Sequence, residues 1–179
     1  MSYLSFISDI TAVFLLWLFA NAGIHKLLPD NKRYFIELLN EYGISSKRLS
    51  IFFLYALGLS EMLIAIGIIF QLTRNIAVVA AIIVLLGYLL VMAFQLYKGK
   101  VDISCGCAGP NANTKISTSL LWRNGLLSLL ALFCLTPSVG LSGTFWIVTV
   151  LSSLMMIILY SSIEKLIENA QLIELLRNK

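Results

Sequence analysis

Two thiols separated by a single glycine stand in the polar stretch Lys98-Gly-Lys-Val-Asp-Ile-Ser-Cys105-Gly106-Cys107-Ala-Gly-Pro110. Glycine between them permits the tight backbone that brings two sulfurs together. A disulfide closed across so short a ring is strained, and strained disulfides are the easily reduced kind used in catalysis or regulation. Lys98 and Lys100 place positive charge nearby, which favours the nucleophilic thiolate. Gly109-Pro110 stops the turn and sets up the next helix. Thiol–disulfide exchange, with Cys105 and Cys107 as the catalytic pair, is the first reading. Two others fit the same residues: metal ligation by both thiolates with His25, and loop cysteines without a chemical role. A closed metal site takes four ligands, and these residues supply three, so no metal is expected.

Ionisable groups inside apolar blocks are expensive and each needs a reason. Glu61 lies near the middle of one such block, where a charge costs about 3 kcal/mol on insertion scales. Protonation or a partner relieves that cost. Arg123, early in a later block, is the expected partner, with Asn124 as a neighbouring hydrogen-bond donor. A pair of this kind also serves to fix helix packing alone. His25 and Lys26 end the first block, and Asn21 stands at i−4 from His25, on the same helix face. His25, Glu61, Arg123 and Asn124 are thus expected as a polar cluster supporting the thiols, with an interfacial histidine as the plainer reading of His25. Cys134, between Phe133 and Leu135, reads as a small core hydrophobe. Trp122, Phe145, Trp146 and Tyr160 stand near block ends, as membrane-interface anchors do.

These residues need a frame, and composition identifies it. Of 179 residues, 59% are hydrophobic and only 12% charged, too few charges to cover a water-soluble fold. An all-α membrane protein is expected, a bundle of about five transmembrane helices with short amphipathic interfacial helices. The apolar stretches run from about Tyr3 to Ile24, Leu49 to Leu72, Ile76 to Leu96, Ile116 to Leu135 and Leu141 to Tyr160. Each approaches the 20 or so residues that cross the hydrocarbon. Ala20-Asn21-Ala22 matches a signal-cleavage pattern, but Met1 to Ser8 carries no Lys or Arg and Asp9 is acidic, so the first helix is expected to be retained. Of the 13 Lys and Arg, 12 fall on one side of a five-span topology and Arg74 alone on the other. Positive residues mark the cytoplasmic side. The expectation is a multi-pass protein of a bacterial inner membrane, N-terminus out, with the C-terminus and the cysteine segment cytoplasmic. The net charge of +4 is scattered and forms no nucleic-acid patch.

Two polar stretches carry one apolar stripe each. In Tyr34–Gly43 it is Phe35, Leu38, Leu39 and Tyr42; in the tail it is Ile163, Leu166, Ile167, Ala170, Ile173 and Leu176. Such stripes lie on a bilayer surface or on a partner. The expected division is a transmembrane domain over residues 1–162 and an amphipathic cytoplasmic tail over 163–179.

Cys105-Gly106-Cys107-Ala-Gly-Pro followed by Trp122-Arg123-Asn124 resembles the MauE branch of the DoxX/MauE membrane proteins. Gly23-Ile24-His25-Lys26-Leu27, the amphipathic stretch through Tyr42-Gly43 and an intramembrane acid at Glu61 are similar too. The resemblance covers most of the chain. Ala108 stands where the family usually has phenylalanine, a departure that leaves the thiols untouched. The resemblance implies redox maturation of exported proteins beside a thioredoxin-like partner, in a setting of methylamine utilisation. By analogy with other membrane disulfide enzymes, a quinone would accept electrons. A second hypothesis is a non-catalytic scaffold subunit that docks into a larger membrane complex through the C-terminal helix. A transporter built around Glu61 is weaker, because the central helices are not broken by Gly and Pro.

Overall fold

Backbone amides in hydrocarbon find no water, so apolar blocks fold as helices that satisfy their own polar groups. A computed structural model of the chain describes residues 3–99, 118–136 and 144–177. Regular structure among the described residues is entirely helical: α1 (Tyr3–Leu27), α2 (Lys32–Glu41), α3 (Lys47–Ile69), α4 (Gln71–Tyr97), α5 (Thr118–Phe133) and α6 (Thr144–Arg177), with a 3₁₀ turn at Pro29–Asn31. Four helices are long and apolar enough to cross a membrane, within Ser5–Leu27, Lys47–Ile69, Gln71–Tyr97 and Trp146–Ile173, and Ser119–Phe133 forms a shorter apolar helix. The fold is the helical membrane bundle that composition dictates.

Helix α1 is the hub. It packs on α3, α5 and α6, while α4 closes a four-helix ring by packing on α3 and α5. The core of that ring is Phe14, Leu15 and Phe19 of α1, Ile64 and Ala65 of α3, Val78, Ala81 and Leu85 of α4, and Leu127 and Ala131 of α5. Cys134, just beyond α5, is fully buried in the same core. The outer faces are apolar and uncovered, with Leu59, Leu90 and Leu151 all more than half exposed. So much exposed apolar surface suits lipid and not water.

Small residues bring α1 and α3 together. A Cβ at Gly58 would sit 3.0 Å from the Leu27 side chain and 3.2 Å from Cβ of Lys26. One at Gly23 would sit 3.1 Å from the carbonyl oxygen of Gly58. Gly58→Val therefore pushes Lys26 and the end of α1 away from α3. We expect a loss of about 1–3 kcal/mol, the usual cost of overpacking, read as a lowered melting temperature in detergent. Gly87→Ala, where the added Cβ meets nothing within 4 Å, is the control and is expected to melt no lower than the wild type; equal melting of the two variants would refute the close contact.

The turn between α3 and α4 comes earlier than hydropathy suggests, at the single residue Phe70. The Thr73 hydroxyl donates to the Gly67 carbonyl at 2.8 Å and fastens the corner. Arg74 then falls in the first turn of α4, where it reaches Asp9 at 2.7 Å and Ser8 at 2.8 Å. The stripe of α2 faces the chain's own bundle: Phe35 and Leu38 are buried against Leu54, Met92 and Leu120. Gly43, at φ +103°, lets the backbone leave α2 in a conformation other residues resist. Helix α6 continues unbroken from the apolar block through Arg177, and Ile163, Leu166 and Ile173 remain exposed along it.

Candidate functional site

The alternating directions of the helices bring the end of α1, the end of α4, the start of α5 and the lower half of α6 to one end of the bundle. In the chain, residues 100–117 connect α4 to α5. Cys105 and Cys107 belong to this segment and lie outside the described residues.

Lys26 projects from the last turn of α1 onto α3. Its ammonium donates to both carboxylate oxygens of Glu61, each at 2.9 Å. The Tyr88 hydroxyl, from α4, donates to Oε1 of the same carboxylate. Glu61 is 1% and Lys26 6% exposed. Three hydrogen bonds to one carboxylate offset a desolvation that either charge alone could not bear. Lys26 Nζ also stands 5.5 Å from the centre of the Tyr88 ring, an added attraction for a buried cation.

A second group of the same composition lies alongside. Arg123, on α5, donates to Oε1 of Glu164, on α6. The Tyr160 hydroxyl, one turn earlier on α6, donates to that oxygen at 3.0 Å, and the Arg123 guanidinium stands 5.8 Å from the Tyr160 ring centre. Each group is thus a carboxylate held by one cation and one tyrosine. Both line a single cavity of about 50 Å³, completed by Trp17, Asn21 and Asn124. That is room for a few waters. A carboxylate bonded to a tyrosine hydroxyl beside such a space has the parts for taking up and returning a proton.

The expected Glu61–Arg123 ion pair is corrected by this geometry. Helices α3 and α5 stand diagonally across the ring, each packed on α1 and α4. Lys26, on a direct neighbour of α3, takes Glu61, and Glu164 takes Arg123. The two residues still meet as walls of one cavity. Asn124, 2% exposed, lines it as well and directs its amide at the Met92 sulfur at 3.8 Å. His25 is not brought there. It turns to the Pro29–Asn31 corner, where Asn31 Nδ2 lies 2.9 Å from its carbonyl oxygen and 3.5 Å from Nδ1.

Sequence reading passed over Lys26, Tyr88, Tyr160 and Glu164. The signal was present for some of them. Asn21, Ala22 and Lys26 all line the cavity, and in the last turn of α1 it is Lys26 that faces it while His25 turns to Asn31. Tyr160 and Glu164 are one turn apart. Only the packing shows which ridge points inward.

The opposite end of the bundle has one buried ion pair, Asp9 with Arg74, joined by Ser8. Neither residue lines the cavity of the first cluster, and the pair reads as a clamp between α1 and α4.

In comparison with known families, the model described as methylamine utilisation protein MauE aligns with residues 2–137. No curated protein and no solved structure matches the chain.

Proposed function

Because the chain belongs to the MauE family of membrane proteins, we propose that it carries out thiol–disulfide exchange in the maturation of exported proteins. The observation that carries this reading is the paired arrangement of Lys26–Glu61–Tyr88 and Arg123–Glu164–Tyr160 around one buried cavity. It occupies the end of the bundle from which the Cys105–Cys107 segment is spanned. A thiolate of Cys105 or Cys107 attacks the disulfide of a thioredoxin-like partner and forms a mixed disulfide, releasing one partner thiolate. The remaining cysteine attacks that bond, closes the Cys105–Cys107 disulfide and frees the second partner thiolate. Two electrons leave the chain's thiols for the partner, and the two thiol protons end on the partner's sulfurs. The exchange runs in either direction according to the partner's potential. The carboxylate–tyrosine groups are the proton reservoir for it. Methylamine utilisation, the setting named in the family's description, supplies the expected substrates: exported proteins rich in disulfides.

The reading places the chain in a bacterial inner membrane, N-terminus out and cysteines cytoplasmic. The support for this orientation is the distribution of Lys and Arg, 12 on the proposed inner side and Arg74 alone on the outer. The test combines side and chemistry. In a Cys134→Ser background, a membrane-impermeant maleimide is expected to label Cys105 and Cys107 only after permeabilisation; labelling of intact cells would reverse the orientation. Acid-trapped cells carrying Cys105→Ser or Cys107→Ser are expected to show, in one of the two, a reducible adduct to a thioredoxin-like protein. No adduct in either would sink the exchange reading.

A second reading, a scaffold subunit docking through the C-terminal half of α6, is favoured by the exposed Ile163, Leu166 and Ile173. Truncation after Ala170 spares Glu164. Loss of co-purifying protein with the cysteines dispensable would select this reading.

A further inference from the structure

A larger cavity adjoins the polar site and shares Lys26 and Tyr88 with it. It measures about 460 Å³ and is enclosed by α2, α3 and α4. Its walls are apolar and rich in rings, including Phe35, Tyr42, Phe53 and Tyr88. It opens sideways toward lipid, because Phe53 is 39% and Val91 49% exposed. The walls carry polar groups at two places. At one, Lys26 spends two N–H bonds on Glu61 and its third finds no acceptor among the described residues. At the other, Gln95 is 4% exposed. Its amide nitrogen donates to the Tyr42 carbonyl at 3.4 Å, which turns Oε1 away, and that oxygen is buried with no hydrogen-bond partner among the described residues. An orphaned buried acceptor is costly and native structures rarely keep one. Tyr88, beside Lys26, and Gln95 are two turns apart on α4, about 10 Å along the helix.

These features define a ligand. It is apolar enough to arrive from the bilayer and it has a flat ring that suits aromatic walls. It offers an O–H to Gln95 Oε1 and an oxygen to the Lys26 ammonium. It is uncharged: among the described residues Lys26 is the only charged one lining the cavity, and Glu61 already neutralises it, so a phosphate headgroup has no free cation there to claim. We propose that this cavity binds a membrane quinol, a dihydroxylated aromatic ring on an apolar tail, with Gln95 and Lys26 holding the ring. Gln95 makes the site selective for the reduced form, because the oxygens of a quinone can only accept hydrogen bonds and leave Oε1 unpaired.

Gly87 supplies the test. It lines the cavity, and a Cβ there meets nothing within 4 Å. Gly87→Leu fills the ligand's space while improving helix propensity. The full chain, reconstituted in nanodiscs of phosphatidylethanolamine and phosphatidylglycerol, is titrated under nitrogen with a decyl-tailed benzoquinol and, separately, with its quinone. Bound ring is counted by extraction and absorbance against empty nanodiscs. Wild type is expected to bind one quinol per chain, about tenfold tighter than the quinone, the weight of one buried hydrogen bond. Gly87→Leu is expected to abolish the binding with a melting temperature no lower than that of the wild type. Gln95→Leu is expected to keep the quinone affinity and erase the preference. The proposal is overturned if wild type shows no saturable excess over empty nanodiscs, if Gly87→Leu binds as wild type does, if the two redox forms bind equally to wild type, or if phospholipid alone is recovered from the cavity.

Discussion

Glu61→Leu with Lys26 in place is expected to destabilise the bundle by about 3–5 kcal/mol, the cost of leaving one buried charge without its partner. Lys26 and Glu61 are 6% and 1% exposed, and the ammonium's two bonds both end on that carboxylate. Without Glu61 the cation stays in an apolar wall with only the Tyr88 and Phe35 rings near it, at 5.5 and 5.9 Å. Lys26→Met leaves the reverse problem, a carboxylate with the Tyr88 hydroxyl alone. The double variant Lys26→Met/Glu61→Leu removes both charges. Replacing a buried pair by apolar residues is often neutral or stabilising, so its melting temperature is expected to return to that of the wild type. Its activity is not. A proton reservoir needs the carboxylate, and no packing repair replaces it. Thermal unfolding in detergent gives the first half of the result and maturation of an exported disulfide protein the second. Recovery of activity in the double variant would reduce Lys26 and Glu61 to a packing device. The Asp9–Arg74 pair is the internal control: Asp9→Leu/Arg74→Met is expected to keep activity, because neither residue lines the cavity of the site.

Cys105→Ser and Cys107→Ser are each expected to abolish function while the chain still accumulates in the membrane. The physical ground is the dithiol mechanism: one sulfur attacks and the other resolves, so a hydroxyl in either place stops turnover. The helical core among the described residues is built from α1, α3, α4 and α5, and accumulation is expected to be unaffected. Cys134→Ser is the opposite case. That thiol is fully buried, with its sulfur 3.7 Å from the Ser8 carbonyl, and replacing it is expected to leave exchange intact at a modest loss of stability. Immunoblots of membranes measure accumulation, and the redox state of an exported substrate measures function. Normal substrate oxidation in both single variants would remove the thiols from the mechanism.

The sequence by itself determined that this chain lives in a bilayer. With 59% hydrophobic and 12% charged residues no other solvent will take it, and the helices follow because lipid offers backbone amides no partner. The chemistry-bearing residue types were legible for the same reason: a charge such as Glu61 or Arg123 stands out where every neighbour is apolar. Partnership was not legible. Hydropathy has no memory of which helix stands beside which, and Glu61 with Arg123 was the natural pairing of the two most isolated charges. The tertiary structure gave Glu61 to Lys26 because α1, not α5, is the neighbour of α3, with Gly23 and Gly58 letting the two helices touch. It gave Arg123 to Glu164 because α6 runs on as one helix past the apolar block, carrying into the site a residue that sequence reading assigned to the tail. The same contacts turned the stripe of α2 inward onto the bundle and walled off an apolar cavity beside the ion pair. A span's existence is a property of its own residues; the charges it meets, and the spaces left between, are properties of the neighbours that packing selects.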